Sequence, residues 1–440
     1  MVGSANRWRT ATAVSLAVAL ALTVAVDRCL VAQDRSETAR RVEQLVRDLD
    51  ANNRSQRDRA EEDLLALGPS ILDYVPAPDE QGISAEQRLR LRRLLPRLWR
   101  AKLEEDVKGR PVQFPNEPAP LDALLSSLQQ QSGNVVRDLR EQFHQEPANP
   151  RIRVDLGRTT FWPALDRVIE SAGMALYLFT EDRTVGLIGR PAIRKPVCYA
   201  GAFRLAVDRV VVQRDYAAGD TTAAAFIALE MLVEPRLKPL LVEIDTAKFT
   251  VTDDRDRPIP LAGPKSFPIV PDPKLYHLPV TLKLAAPRRE AHRIKSLRGE
   301  FLVSLPAHVE TFVFANLAKS RSFEQSRAGV RVRVAQLDDD GEGTWTVPLL
   351  VALPAAAPPT ESHLQAALEP ELFLAKVVDQ TRFDQNGGFN TVTEEPNRVH
   401  TEYYFRDVPG KLEDYQLVVR VPVGVTSVPV SFAFENLELP

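Results

Sequence analysis

The sequence predicts an α+β multidomain chain that is predominantly β, with N-terminal helices, a small module of duplicated βαβ halves, and two C-terminal β-sandwiches. Three observations predict it. From residue 36 to about residue 106 apolar residues recur at helical spacing. Between residues 112 and 190 the order strand, helix, glycine, strand occurs twice. From residue 196 onward the pattern is apolar alternation broken by proline and by Asp/Gly turns. The composition agrees: 34 prolines and 20 glycines in 440 residues, about 8% and 5% against a usual ~5% and ~7%, favour short extended segments with rigid turns. A formal charge of −3 from 56 basic and 59 acidic side chains leaves no net field for nucleic acid. Two cysteines rule out a disulfide framework.

Residues 1–32 read as a secretory signal peptide. Arg7 and Arg9 form a basic start, residues 11–26 are apolar apart from small hydroxyls, and Leu30-Val31-Ala32 offers a cleavage site. The alternative is an uncleaved anchor, although 16 residues give about 24 Å of helix against a hydrocarbon core of ~30 Å. Lipid attachment fails because Asp27-Arg28 precedes Cys29. Cleavage after Ala32 leaves a single thiol, Cys198, at the start of a strand-like run, where it reads as a buried small hydrophobe.

Residues 33–108 form a helical segment. Val42, Leu45, Val46 and Leu49 make one stripe, and Ala60, Leu64, Leu65 and Leu67 a second that Gly68-Pro69 stops. Ser84 and Gln87 form a capping box for a third helix, which Pro96 should kink or end. Arg88, Arg90, Arg92, Arg93, Arg97, Arg100 and Lys102 on that helix are expected to form a solvated face near Glu86, Glu104, Glu105 and Asp106, with attraction to an anionic polymer or lipid headgroups as the alternative. The run Asn53-Arg54-Ser55, Arg57, Arg59-Ala60, Leu64-Leu65, Leu67-Gly68-Pro69 resembles one HEAT-like helical repeat. A solenoid needs about three stacked repeats, so a lone unit implies packing on another domain or a partner.

Residues 109–192 form the module. Val112-Gln113-Phe114 precedes a helix through Leu121, Leu124, Leu125 and Leu128, ended by Ser132-Gly133, with Val135-Val136 as the next strand. Ile152 and Val154 precede a helix through Phe161, Ala164, Leu165, Val168 and Ile169, ended by Ala172-Gly173, with residues 175–179 and 185–188 as strands. Phe161 and Trp162 are expected in the core. Thr160-Phe161-Trp162-Pro163-Ala164-Leu165 with Ser171-Ala172-Gly173, and Pro120-Leu121-Asp122-Ala123-Leu124 with Ser132-Gly133, resemble the short amino-terminal domain shared by secretins and TonB-dependent receptors. That resemblance implies a docking domain without catalytic residues, although no secretin or receptor barrel follows here.

Two sandwiches are expected at 196–317 and 318–440, because a repeat recurs at about 120 residues. Phe301-Leu302-Val303-Ser304-Leu305-Pro306-Ala307 aligns with Leu417-Val418-Val419-Arg420-Val421-Pro422-Val423. Each is followed by an aromatic strand, Phe312-Val313-Phe314-Ala315-Asn316-Leu317 or Phe432-Ala433-Phe434-Glu435-Asn436-Leu437. Ala200-Gly201-Ala202-Phe203-Arg204-Leu205 likewise matches Ala328-Gly329-Val330-Arg331-Val332. The strand spacing suits an immunoglobulin-like sandwich without its cysteine and tryptophan hallmarks, and Phe-x-Phe places both rings on one face. A turn of helix is expected within residues 362–368. The prolines Pro279, Pro306, Pro348, Pro354, Pro422 and Pro429 should occupy strand edges, starts or bulges.

Catalytic and cofactor motifs are missing. His144, His277, His292, His308, His363 and His400 form no i, i+4 pair, and there is no HExxH, GxSxG, Walker loop, GxGxxG or CxxC. No catalytic, cofactor or metal residue is assigned, and no cofactor is expected. Asp338-Asp339-Asp340-Gly341-Glu342 is the best calcium candidate, but the EF-hand register puts Gln336 first, and a hairpin turn is the stronger reading. Trp345 and Tyr404 are candidate sugar platforms, against core packing; Tyr403 and Phe405 share one face and Tyr404 the other.

The whole arrangement resembles a group of exported bacterial proteins, a resemblance that brings no activity with it. The expectation is an exported, periplasmic or envelope-associated, non-enzymatic protein that docks envelope protein partners. It would bind no nucleic acid and touch membrane only through an uncleaved leader. The alternatives are a carbohydrate-binding surface protein or a hydrolase without a motif.

Overall fold

The computed structural model describes residues 36–180, 182–191, 193–214, 223–318, 321–341, 343–353, 370–395 and 397–440. The expected leader, Pro354, His363, Glu342 and the turn at 362–368 lie outside the described residues. Those described form a predominantly β chain with helices toward the amino-terminal end. The chain divides into two compact units, residues 1–102 and 103–440.

In the first unit, α1 covers residues 36–48, and α2 (Arg54–Ala66) starts where the Asn53 side chain accepts from the Ser55 amide at 2.8 Å. Gly68 takes φ 73° and Pro69 opens a single 3₁₀ turn, so the second helix stops as expected. The capping box is formed: Ser84 N donates to Gln87 Oε1 at 2.9 Å and Gln87 N to Ser84 Oγ at 3.1 Å. The core gathers Val42, Val46, Leu49, Ala60, Leu64, Ile71, Leu91, Leu94 and Leu98.

One expectation changes in the third helix. α3 (Ala85–Val107) does not end at Pro96 but runs through it. Pro96 lies on the exposed face while Leu94, Leu95 and Leu98 are buried around it, so burial outweighs one lost backbone bond, a cost of about 3 kcal/mol in an unsupported helix. The basic run is a largely solvated face, as expected, with Arg92, Arg93, Arg97 and Arg100 exposed and Arg90 the exception. Arg90 is buried against Glu86 (2.7 Å), Asp58 (2.9 Å) and Glu61 (2.9 Å), Arg93 reaches Glu61 (3.3 Å), and Arg92 reaches Asp79 (3.0 Å).

The second unit begins with the module: β1 (Ala119–Pro120), α4 (Leu121–Ser132), β2 (Val136–Asp138), β3 (Arg151–Ile152), α5 (Phe161–Ala172), β4 (Ala175–Tyr177) and β5 (Val185–Ile188). Both helices end on a left-handed glycine, Gly133 (φ 76°) and Gly173 (φ 66°). The sheet order is β2-β5-β4, with β2 parallel and β4 antiparallel to β5; β1 pairs with β3 separately. Val112-Gln113-Phe114 forms no strand, only an isolated bridge from Val112 to Thr159. Phe161 and Trp162 are core residues, and the Trp162 indole donates to the Ala202 carbonyl at 3.0 Å.

Four further sheets follow, built from β6 (Val197–Ala200), β7 (Phe203–Arg214), β8 (Ala223–Val233), β9 (Leu241–Asp245), β10 (Thr250–Asp253), β11 (Ser266–Ile269), β12 (His277–Ala285), β13 (Arg293–Leu305), β14 (His308–Phe314), β15 (Ser322–Arg327), β16 (Val330–Ala335), β17 (Asp338–Asp339), β18 (Thr344–Ala352), β19 (Glu371–Lys376), β20 (Arg382–Asp384), β21 (Phe389–Glu395), β22 (Arg398–Arg406), β23 (Tyr415–Val423) and β24 (Thr426–Glu438). Sheet I runs β12-β8-β7-β6. Sheet II runs β10-β13-β9-β11, with β24 on the other side of β13. Sheet III is β14-β23-β19-β20, and sheet IV is β15-β16-β18-β22-β21 with β17 on β18.

Sheets I and II share one core, which includes Phe203, Ile227, Met231, Val242, Leu282, Phe301 and Phe432. At its centre Phe301 stacks on Phe432 (5.0 Å, 17°) while Phe249 meets both edge-on. Sheets III and IV meet where Trp345 packs edge-on to Tyr415 (5.7 Å) and Phe314 to Phe323 (6.0 Å). Phe312, Phe314, Phe432 and Phe434 are all buried, as the Phe-x-Phe alternation requires.

The strand pairing does not follow the expected division at 317/318. β24, from the second copy of the repeat, pairs with β13 of the first in sheet II, and β14 of the first pairs with β23 of the second in sheet III. The register is unbroken across the change of sheet: Leu305↔Thr426 is followed by His308↔Val423, and Ala307 N donates to Gly424 O at 3.3 Å. One antiparallel ribbon therefore runs through both sheet pairs, and each pair takes an aromatic strand from the other's copy. The other repeated motif marks two hairpin turns. Ala200↔Phe203 and Arg327↔Val330 each close a two-residue loop, the second with φ 47° at Ala328 and 80° at Gly329.

The prolines fit the pairing. Pro279 lies on the edge strand β12. Pro429 lies on β24, whose outer side is unpaired among the described residues. Pro422 lies beyond the end of β19, Pro306 at the crossover, and Pro348 in the gap between β16 and β17 along β18.

Buried polar contacts lock the module to sheets I and II. Glu234 Oε2 accepts from Arg236 Nε (2.6 Å) and Asn134 Nδ2 (3.0 Å), and Arg236 Nη1 reaches Asp106 (2.6 Å). Arg183, at the tip between β4 and β5, sends its guanidinium to the carbonyls of Pro235, Leu237, Pro273 and Leu275. No helix among the described residues is long and apolar enough to cross a membrane.

Candidate functional site

The structure places the residues considered from sequence mostly in structural roles. Trp345 is 3% exposed and faces Tyr415, so it offers no ring to a sugar. Tyr403 and Phe405 are buried on one face, while Tyr404 on the other directs its hydroxyl to Glu402 at 3.3 Å. The Asp338–Asp340 carboxylates act as turn acceptors: Asp339 Oδ1 accepts from Gly341 N and Asp340 Oδ1 from Thr344 N, each at 3.0 Å. Among the described residues, no three metal-ligating side chains converge. Cys198 is half-buried against the core of sheets I and II. The described histidines stay on separate elements, and His308, beside Glu310 at 3.5 Å, is held below its usual pKa by burial.

The charged residues that do converge were not singled out as a site by sequence. A cleft of about 320 Å³ opens beside the ribbon crossover. Pro239, Pro273, Pro306, Pro370 and Pro422 form much of its wall with Leu240, Val309 and Leu372. Its charged lining is Lys238, Lys274, Glu371, Asp384, Arg382 and Arg420, and Gln385 and Tyr403 complete it. Each part follows from the strand order. Glu371 opens β19 directly opposite Arg420 of β23, and β20 brings Arg382 alongside β19. The crossover supplies Pro306 and Pro422, and the segments entering β9 and β12 supply the two lysines.

Glu371 is the centre of the charge arrangement. Its carboxylate is reached by Arg382 Nη2 (2.9 Å), Arg420 Nη1 (3.4 Å) and Lys238 Nζ (3.8 Å). Both guanidiniums lie over the buried Phe373 ring, at 4.0 Å for Arg382 and 5.1 Å for Arg420. Partial burial pushes the Glu371 carboxyl upward, but Lys238, Arg382 and Arg420 outweigh it and hold the group below its ordinary range. Glu371 is therefore ionised at neutral pH and is no proton donor there. The lining contains no serine, threonine, cysteine or histidine. Its chemistry is that of an anion receptor with apolar walls: four cations against two carboxylates, and Lys274 on the rim without an ion-pair partner among the described residues.

One sequence signal could have found the site. Within the repeat, Arg420 stands where the other copy has Ser304, a charge in a strand otherwise apolar from Leu417 to Val421. Glu371, Arg382 and the lysines carry no such mark, because strand pairing alone brings them together.

No family model matches the chain, and no curated protein matches it. Among solved structures it is similar, at 9% identity, to a chain described as "Complete structure of manganese lipoxygenase of Gaeumannomyces graminis and partial structure of zonadhesin of Komagataella pastoris". The match covers 52% of this chain and 94% of that one with a TM-score of 0.12. So loose a superposition carries no argument about fold or activity.

Proposed function

We propose that this chain is an exported, non-enzymatic protein of the cell envelope, or periplasm, that works as a docking scaffold and receives a protein partner in the proline-walled cleft. In this reading the paired sheets are two immunoglobulin-like sandwiches with exchanged aromatic strands, the first unit is a HEAT-like adaptor, and the βαβ module is of the secretin and TonB-receptor docking kind. The cleft carries the reading: its lining sets apolar proline rings beside four cations, holds no serine, threonine, cysteine or histidine, and keeps Glu371 ionised between Arg382 and Arg420. Fixed attachment of the module supports it as well, because a preorganised surface loses less entropy on binding than a mobile one. The carbohydrate reading loses its main support with the burial of Trp345.

Affinity retrieval from envelope fractions tests the proposal. The full chain is expected to recover one defined protein after mild crosslinking, and a Lys238→Glu/Lys274→Glu variant to recover at least tenfold less. Equal recovery by both, or none by either, would overturn it.

A further inference from the structure

The cleft already holds a carboxylate, its own. Glu371 is clasped by Arg382 and Arg420 with Lys238 behind, and the two guanidiniums lie over the Phe373 ring. A planar guanidinium matches a carboxylate fork far better than a point charge does. The arrangement therefore displays how an incoming side-chain carboxylate would be received. Two cations remain in excess after Glu371 and Asp384 are counted, four against two, and Lys274 stands at the mouth without a partner among the described residues.

The walls narrow the ligand class further. Proline has no N–H, so five prolines leave a surface that packs against side chains and cannot extend a strand ladder. Neutral polar groups are limited to Gln385 and Tyr403, and Tyr403 is buried. A sugar stacks on an open ring face, and the one aromatic ring in the lining, Tyr403, is buried. An extended peptide with acidic side chains beside apolar ones needs what is present.

Resting on the docking reading above, we propose that the cleft takes an extended acidic segment of a partner protein, whose carboxylates engage Arg382, Arg420, Lys238 and Lys274 while its apolar side chains lie against the proline wall. Glu371 acts as the internal stand-in that the ligand displaces.

The test uses the full chain against a library of eight-residue peptides carrying Asp or Glu at four positions, a matched library with Asn or Gln there, and oligogalacturonate as an acidic sugar. At low salt the acidic library is expected to enrich at least tenfold over the amide library, with the preference lost at high salt. Lys274→Glu, an exposed change that leaves the fold alone, should lower the affinity of a selected peptide about tenfold. Glu371→Gln, which removes the stand-in, should tighten it. Equal enrichment of the two libraries, stronger binding of oligogalacturonate, or weaker peptide binding by Glu371→Gln would overturn the proposal. If a defined partner is still retrieved while the acidic preference is missing, the ligand class is wrong and docking stands. If retrieval fails too, docking falls with it.

Discussion

Arg183 spans the contact between the module and sheets I and II with one side chain. Burial pushes its pKa down to about 10 against the Coulombic pull of the Asp272 carboxylate, so it stays charged at neutral pH, and its hydrogen-bond partners are four backbone carbonyls. Replacing it with methionine keeps most of the volume but leaves four carbonyls without their donor. Urea unfolding should show a loss on the order of 3 kcal/mol, with lysine recovering only part of it. Glu234 makes the opposite demand. It is 0% exposed, Oε1 has no hydrogen-bond partner among the described residues, and burial raises its pKa against the pull of Arg236, Asn134 and Arg110. An acid with a higher pKa when folded takes up its proton more readily in the folded state. Its charge therefore costs stability above that pKa, and the cost fades as pH falls toward it. Thermal melts of Glu234→Gln against the parent should thus favour the glutamine variant more at pH 8 than at pH 5. Neither residue was legible in the sequence, since an arginine after Asp182 and a glutamate at a strand end look like solvent-facing turn residues until the module closes over them.

Elements with local causes were the legible ones. Helices α4 and α5 follow from apolar spacing and a terminal glycine, and their ends fall at Gly133 and Gly173, where the chain takes a positive φ that glycine adopts without strain. β5 lies where it was expected, whereas the strand expected at residues 112–114 is a single bridge in which Val112 and Thr159 exchange two backbone hydrogen bonds, at 2.7 and 3.0 Å. Strand partnership was not legible. The similarity between residues 301–317 and 417–437 is the same whether the copies stand in tandem or exchange strands, and only long-range pairing decides. Gly299 is the clearest residue of that pairing. It sits opposite Phe432, and a Cβ there would lie 2.6 Å from the Phe249 ring and 2.9 Å from Phe432. Gly299→Ala should destabilise the chain by about 2 kcal/mol in chemical unfolding, through overpacking of the three-phenylalanine cluster. An unchanged midpoint would show that the ring cluster is loose.

Across residues 103–440 the ribbon, the module lock and the cleft form one arrangement. The ribbon carries Pro306 and Pro422 to the cleft, β19 and β20 place Glu371 and Arg382, and the segment that Arg183 holds at Leu237 and Pro273 leads directly into Lys238 and Lys274. The excess of proline thus has two places, strand edges and the wall of the cleft, and the sequence pointed only to the first. The central claim is that a protein partner enters this cleft. Site-specific photo-crosslinking in the living source cell tests it most directly, with the crosslinker at Gln385 in the cleft and, as control, at the exposed Val378 outside its lining. The account predicts one discrete, higher-mass adduct from position 385, lost when Lys274→Glu is added, and none from position 378. No adduct from 385, or the same adduct from both positions, would contradict it.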